Sequence, residues 1–102
     1  MSASARYCWL ERAAGRATLF LSGVWHLPRI AEIDAALAGA GIPASPLTVD
    51  GAALAMLDTA AALALLRRIE GAGASIERLA SFSASHVRVI EAVLGRLGET
   101  TV

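Results

Sequence analysis

Apolar segments of strand length open the chain and are separated by short polar or glycine-containing turns. Residues 6–12 and 17–21 mix aliphatic and aromatic side chains, and residues 15–16 lie between them as a turn. This pattern predicts a β-hairpin. A serine and a glycine at 22–23 then interrupt the second segment before a short apolar stretch that contains Trp25.

A helical pattern begins at Pro28, because proline fits the first turn of a helix, where its missing N–H is not needed. Apolar residues then recur at a spacing of three or four positions. They are Ile30, Ile33, Ala36, Leu37 and Ala40. Gly39 and Gly41 weaken the last turn, and Pro43 and Pro46 prevent the helix from continuing.

The middle of the chain predicts a short strand followed by an apolar helix. Residues 47–50 have strand composition, whereas residues 51–57 are ambiguous between a helix, which their alanines favour, and a connecting segment. Asp58 and Thr59 form a strong N-cap signal, since short side-chain oxygens accept hydrogen bonds from the first N–H groups of a helix. The run at 60–66 is apolar throughout, so most of this helix should be buried.

Basic residues and glycines mark the end of this helix. Arg67 and Arg68 stand where positive charge complements the helix dipole, and they are expected to form a solvated helix end. Gly71 and Gly73 should stop the helix. The alternation of residue types at 75–80 predicts a further strand.

A last helix is predicted from an N-cap at Ser83, and its apolar stripe consists of Val87, Ile90, Val93, Leu94 and Leu97. The predicted order is strand, strand, helix, strand, helix, strand, helix. With right-handed crossovers, this order predicts one α/β domain over residues 1–102, its core at about 7–97. We expect a mixed β-sheet of about four strands, packed against helices.

Composition narrows the possible functions. Of the 102 residues, 56% are hydrophobic and 18% are charged, which excludes an intrinsically disordered chain. The formal net charge is zero, so the basic excess of a dedicated nucleic-acid binder is missing. The longest uninterrupted apolar run, residues 60–66, is too short to span a bilayer. A single cysteine fits a reducing, cytoplasmic compartment.

Few residues are candidates for catalysis or for metal binding. Cys8 is expected to be a buried structural cysteine, His26 a surface or capping residue, and His86 an exposed neutral ring in the first turn of the last helix. These three are too few for a zinc site. Asp50 and Asp58 make only a weak carboxylate pair. Without a catalytic motif, the chain is predicted to be non-enzymatic and to need no cofactor.

The helix start at Asp58 and Thr59 is the one candidate functional feature. Backbone N–H groups and the helix dipole favour an anion there, and a hydroxyl at this position could accept a phosphate. Plain N-capping is the alternative interpretation, and local physical chemistry favours it.

The residues around this helix start resemble a known family. A strand at 47–50, followed by Met56, Leu57, Asp58 and Thr59 at the opening of an apolar helix, is similar to the STAS domain. Thr59 occupies the position of the hydroxyl residue that a partner kinase phosphorylates in anti-sigma factor antagonists of that family. The next two residues are alanines, where antagonists usually have serine and glycine.

A closer resemblance is to the STAS domains of Mla-type lipid ABC transporters. Residues 17–25 look like the second strand of those domains and its exit, residues 57–60 like their helix start, and residues 81–86 like the loop before their last helix. In those transporters the domain is a separate subunit or the N-terminal part of the permease. The resemblance implies contact with the cytosolic ATPase subunit near Thr59.

Two functions follow from the resemblance, and a third interpretation comes from a different class. The first is an interaction domain that docks on the ATPase through Asp58, Thr59 and the segment of Trp25, at the cytosolic face of the inner membrane. The second is an anti-sigma factor antagonist that an anti-sigma kinase switches by phosphorylating Thr59. The third, a small enzyme or ligand carrier, needs a polar pocket, and few polar residues lie outside the helix ends.

Overall fold

Strands and helices alternate along residues 7–100, the part of the chain that the computed structural model describes, with side chains described to residue 95. The elements are β1 (Cys8–Ala13), β2 (Arg16–Trp25), a 3-10 turn (Leu27–Arg29), α1 (Ile30–Ala40), β3 (Pro46–Leu57), α2 (Thr59–Gly71), β4 (Ser75–Ala80) and α3 (Ala84–Thr100). This order confirms the predicted α/β class.

The four strands form one mixed sheet in the order β1-β2-β3-β4. β1 is antiparallel to β2, and β3 is parallel to both of its neighbours. Ala14 and Gly15 join β1 to β2 with φ angles of 53° and 75°, as in the two-residue turns typical of hairpins. The predicted hairpin is confirmed, with its turn one residue earlier than expected.

α1 and α2 lie on one face of the sheet, because successive right-handed crossovers between neighbouring parallel strands return to the same side, and α3, which follows the last strand, packs against α2. α2 lies in the middle and packs against both α1 and α3. The strands alternate accordingly: Leu19 and Val49 face the helices and are fully buried, whereas Phe20 and Thr48 face away and are half-buried. On that outer face the ring of Phe20 stacks on Trp9, with centroids 5.3 Å apart.

β2 and β3 are longer than the sequence predicts. Residues 22–23 do not end β2 but form an irregularity, at which Gly23 has a φ of 81°. The ambiguous segment 51–57 is strand, paired with the end of β2 as far as Trp25 and Leu57. Backbone pairing with a neighbouring strand outweighs the helix preference of alanine.

Gly51 is required by close packing. A Cβ atom built there would lie 2.6 Å from the ring of Phe82. Phe82 belongs to the loop between β4 and α3, and its ring packs against β3 at Gly51. No side chain larger than hydrogen fits without displacing the ring.

The helix ends differ in detail from the predicted ones. The Pro28 segment forms a 3-10 turn, and α1 follows it from Ile30. Gly41 ends α1 with a left-handed φ of 73°, as expected. α2 passes through Gly71 and stops at Ala72, whose N–H bonds to earlier carbonyls, before the left-handed Gly73.

The predicted stripe of α3 is only partly buried. Ile90 and Val93 are buried against the domain, and Val87 is half-buried. Leu94 is 44% exposed, contrary to expectation, because it lies about 100° around the helix from Val93. The side chain of Leu97 lies outside the described residues.

Candidate protein-binding site

Asp58 fastens three elements together at the carboxyl ends of β2 and β3. Its Oδ1 accepts a hydrogen bond from Ala61 N at 2.8 Å, which confirms the predicted N-cap of α2. Its Oδ2 accepts from Leu27 N, also at 2.8 Å, and its own N–H donates to Trp25 O at 3.0 Å. Both carboxylate oxygens therefore hold backbone, so Asp58 fixes the positions of its neighbours.

Thr59 is the first residue of α2, and its side chain is exposed. No hydrogen bond of its hydroxyl to another described residue is present. The start of α2 carries the partial positive charge of the helix dipole, and the neighbouring Asp58 carboxylate offsets part of it. Thr59 is thus accessible on a rigidly held helix end.

Three large apolar side chains are exposed at the carboxyl ends of β2 and β3 and just after β2, and we refer to Val24, Leu27 and Met56 as the apolar rim. Val24 and Met56 are direct neighbours across β2 and β3, and they are 40% and 45% exposed. Leu27 is 61% exposed although its N–H is held by Asp58. Sequence reasoning missed the rim, because strand periodicity alone does not show which apolar residues lack a covering element.

A shallow depression continues the rim. It has a volume of about 400 Å³ and is lined by Tyr7, Gly23, Val24, His26 and Arg29. Because it is small and open to the surface, it can receive a side chain of another protein better than it can enclose a small-molecule ligand.

Trp25 is fully buried, which corrects the expectation that it contacts a partner directly. Its Nε1 donates to Ser22 O at 3.0 Å and to Tyr7 O at 3.2 Å. The buried indole therefore stabilises the end of β2 through hydrogen bonds to two main-chain carbonyls. Its main-chain carbonyl, by accepting from Asp58 N, supports the site.

The other candidate residues are not brought together. Cys8 is fully buried as predicted, and burial raises the pKa of its thiol to about 11, which keeps it neutral. Asp50 and Asp58 are separated by continuous strand, roughly 25 Å at 3.3 Å per residue, so they form no carboxylate pair. Among the described residues, no three metal-ligating side chains cluster.

The two histidines occupy different environments. His26 takes the N-cap position of the 3-10 turn, without a capping hydrogen bond from its side chain. His86 is half-buried rather than exposed, and its Nδ1 is buried without a hydrogen-bond partner. The predicted exposure of His86 was wrong, because Phe82, just before α3, packs against β3 and the core and holds the start of the helix close to the domain.

A second surface lies between α1 and α2. An open groove of about 620 Å³ runs between them, with Leu37 and Ala64 in its lining and Arg67 and Arg68 at its border. Arg68 was expected to be a solvated residue at the helix end. It instead binds Asp34 of α1 through two hydrogen bonds of 2.8 Å. This bidentate pair ties the two helices together.

The ion pair predicts a pH-dependent contribution to stability. The Arg68 guanidinium, by hydrogen bonding first and charge second, holds the pKa of Asp34 below its usual range. A lowered folded-state pKa means stabilisation that is complete above the unfolded pKa and is lost as the pH falls through the folded value. The difference in unfolding free energy between wild type and Asp34→Asn should therefore be modest at neutral pH and shrink as the pH falls below the unfolded pKa of about 3.9.

Urea unfolding between pH 2 and pH 7 measures this difference. Arg67→Gln is the matched control, since Arg67 is exposed and makes no ion pair with a described residue. A difference for Asp34→Asn that stays the same at pH 2.5 and pH 7 would contradict the assignment.

None of the described helices has the length and apolar character needed to cross a membrane. No protein-family model matches the chain, and a comparison with curated proteins finds no match.

Proposed function

We propose that this domain is a non-enzymatic STAS-type interaction module that docks on the cytosolic ATPase of a lipid-transport ABC complex. The observation that carries the proposal is an exposed Thr59 on a fixed helix end, with the exposed apolar rim at the same end of β2 and β3. The order of elements and the helix start at Asp58 agree with what the resemblance implies. The proposal implies a location at the cytosolic face of the inner membrane.

The physical chemistry of the rim favours a protein partner. Removal of apolar surface from water contributes about 25 cal/mol per Å², and a few well-packed side chains usually provide most of the binding energy. Leu27 is the most exposed of the three rim residues, and the depression beside Val24 can receive a side chain of the partner. Since Asp58 holds Leu27 and α2 in place, little ordering of the backbone is required on binding.

Thr59→Glu tests the proposal by calorimetric titration with purified ATPase. We expect binding to weaken about tenfold or more, because a charge and added bulk enter the centre of the contact. Glutamate is favourable in the first turn of a helix, so the variant should keep its fold. Thr59→Ser is the matched control and should bind like wild type.

Leu27→Ala extends the test to the rim. It should also weaken ATPase binding without lowering the melting temperature, since the side chain is 61% exposed. ATPase that does not bind the wild-type domain, or that binds Thr59→Glu equally well, would refute the proposed function.

The accessible hydroxyl of Thr59 favours a second candidate, an anti-sigma factor antagonist. A kinase needs a hydroxyl that is exposed and not engaged, and Thr59 meets both conditions among the described residues. Incubation with an anti-sigma kinase and ATP should then add the mass of one phosphate to the wild type and none to Thr59→Ala. An unchanged wild-type mass would argue against this function.

A further inference from the structure

The second half of β3 has an edge without a partner strand. β4 ends at Ala80, opposite Asp50, so the following part of β3 is paired only with β2 in the described chain. We refer to residues 51–57 as the β3 edge segment. Four of its seven side chains are exposed: Ala52, Ala53, Ala55 and Met56.

The other edges of the sheet are protected by charge, and the β3 edge segment is not. β1 carries Glu11 and Arg12, and β4 carries Glu77 and Arg78, each on a strand of six residues. Short, charged edge strands resist pairing with other chains. The β3 edge segment contains no charged residue and no proline, so charge does not oppose the addition of a strand. Its protection is limited to two register irregularities against β2 and to the Phe82 ring over Gly51.

Two carboxylates bracket this uncharged segment. Asp50 precedes it and Asp58 follows it. Asp50 is half-buried, its Oδ1 accepts from Ala52 N at 2.8 Å, and it forms no ion pair with a described residue. An added strand would therefore meet apolar surface and, at its Asp50 end, a carboxylate whose Oδ2 accepts no hydrogen bond from a described residue, whereas both oxygens of Asp58 are engaged by backbone N–H groups.

We propose that the β3 edge segment binds an extended segment of another protein, with uncharged residues at its centre and a basic residue opposite Asp50. Main-chain hydrogen bonds to the edge beyond Ala52, whose N–H is already held by Asp50, would give affinity, and the pairing of the basic residue with Asp50 would set the register. This site shares Met56 with the apolar rim but otherwise goes beyond the contact at Thr59, and its test does not use the ATPase.

Charge argues against a second copy of this chain as the occupant. A two-fold antiparallel pairing over the whole segment is centred on Leu54, and Asp50 and Asp58 each lie four residues from it. Asp50 of one copy would then face Asp58 of the other. Like charges directly opposite each other destabilise a strand pair, which favours a partner with basic residues at these positions.

Capped peptides that alternate valine and threonine are the probes. One ends in arginine at both termini, and its matched control ends in glutamate. We titrate each into the isotope-labelled domain, follow backbone amide shifts, and measure amide hydrogen exchange. The arginine peptide should shift and protect amides of the β3 edge segment in a saturable way, about threefold or more tightly than the glutamate peptide.

Lysine substitutions at the edge test the site itself. The double variant Ala53→Lys, Ala55→Lys should weaken binding of the arginine peptide about tenfold or more, because it introduces the edge charges found on natural protected strands. Ala31→Lys with Ala35→Lys, at two exposed alanines of α1, is the charge-matched control and should bind like wild type. Ala53→Thr with Ala55→Thr keeps the edge uncharged and should retain binding, which separates charge from side-chain size.

Three outcomes would overturn the proposal. They are no saturable shift in residues 51–57 with the arginine peptide, equal binding by the double lysine variant, and a dimer of the free domain that the lysine variant abolishes. None of them bears on ATPase binding at Thr59, so the two proposals fail separately.

Discussion

Trp25→Ala is expected to lower the free energy of unfolding by about 3–5 kcal/mol, the range for truncation of a fully buried large aromatic side chain. The indole has no exposed surface, so its removal leaves a cavity among the core residues. It also removes the donor shared by the carbonyls of Tyr7 and Ser22. Against a total stability of about 5–15 kcal/mol, such a loss would unfold part of the population.

Trp25→Phe separates the two contributions. Phenylalanine fills much of the space but cannot donate a hydrogen bond, so we expect a smaller loss of about 1–3 kcal/mol. Urea unfolding followed by circular dichroism measures both variants. A loss below about 1 kcal/mol for Trp25→Ala would contradict the buried position of the ring.

Leu66→Ala is the second large expected effect, about 2–5 kcal/mol. Leu66 is 4% exposed on the central helix α2, between the sheet and the neighbouring helices, where few groups can move to fill a cavity. The apolar run of the sequence gives no reason to distinguish Leu66 from Leu63. In the structure Leu63 is half-buried, so Leu63→Ala should cost only about 1 kcal/mol.

Leu63→Ala serves as the matched control for Leu66→Ala. Both substitutions remove the same atoms from the same helix, so helix propensity changes equally and only burial differs. In thermal or urea unfolding, Leu66→Ala should have a clearly lower free energy of unfolding than Leu63→Ala. Equal losses, or the reverse order, would show that α2 presents a different face to the sheet.

The candidate site shows which contacts can be predicted from sequence. The N-cap bond of Asp58 to Ala61 spans three residues and depends only on local geometry, so the residue types predict it. The bond from Leu27 to the other oxygen of Asp58 spans 31 residues and exists only once β2 and β3 are paired. The burial of Trp25 and the exposure of Met56 depend on the same pairing.

For charged groups too, local contacts can be predicted from the sequence, whereas contacts between distant residues cannot. Arg68 was expected to be a solvated helix end because the sequence shows only the helix on which it lies. Its pair with Asp34 requires α1 and α2 to pack side by side, and those residues are 34 positions apart. The half-burial of His86 likewise follows from packing at the start of α3, which its own turn of helix does not indicate.

The sequence by itself determined the α/β class, the order of seven strands and helices, the hairpin, the N-cap at Asp58 and the mostly buried α2. These depend on periodicity, turn residues and capping, which act over a few neighbouring residues. Only the tertiary structure decided that residues 51–57 are strand, that Trp25 is internal, and that the apolar rim and the β3 edge segment are open. Those properties depend on which side chains and strand edges are covered by another element. That is set by the pairing and packing of segments distant in the sequence rather than by local preference.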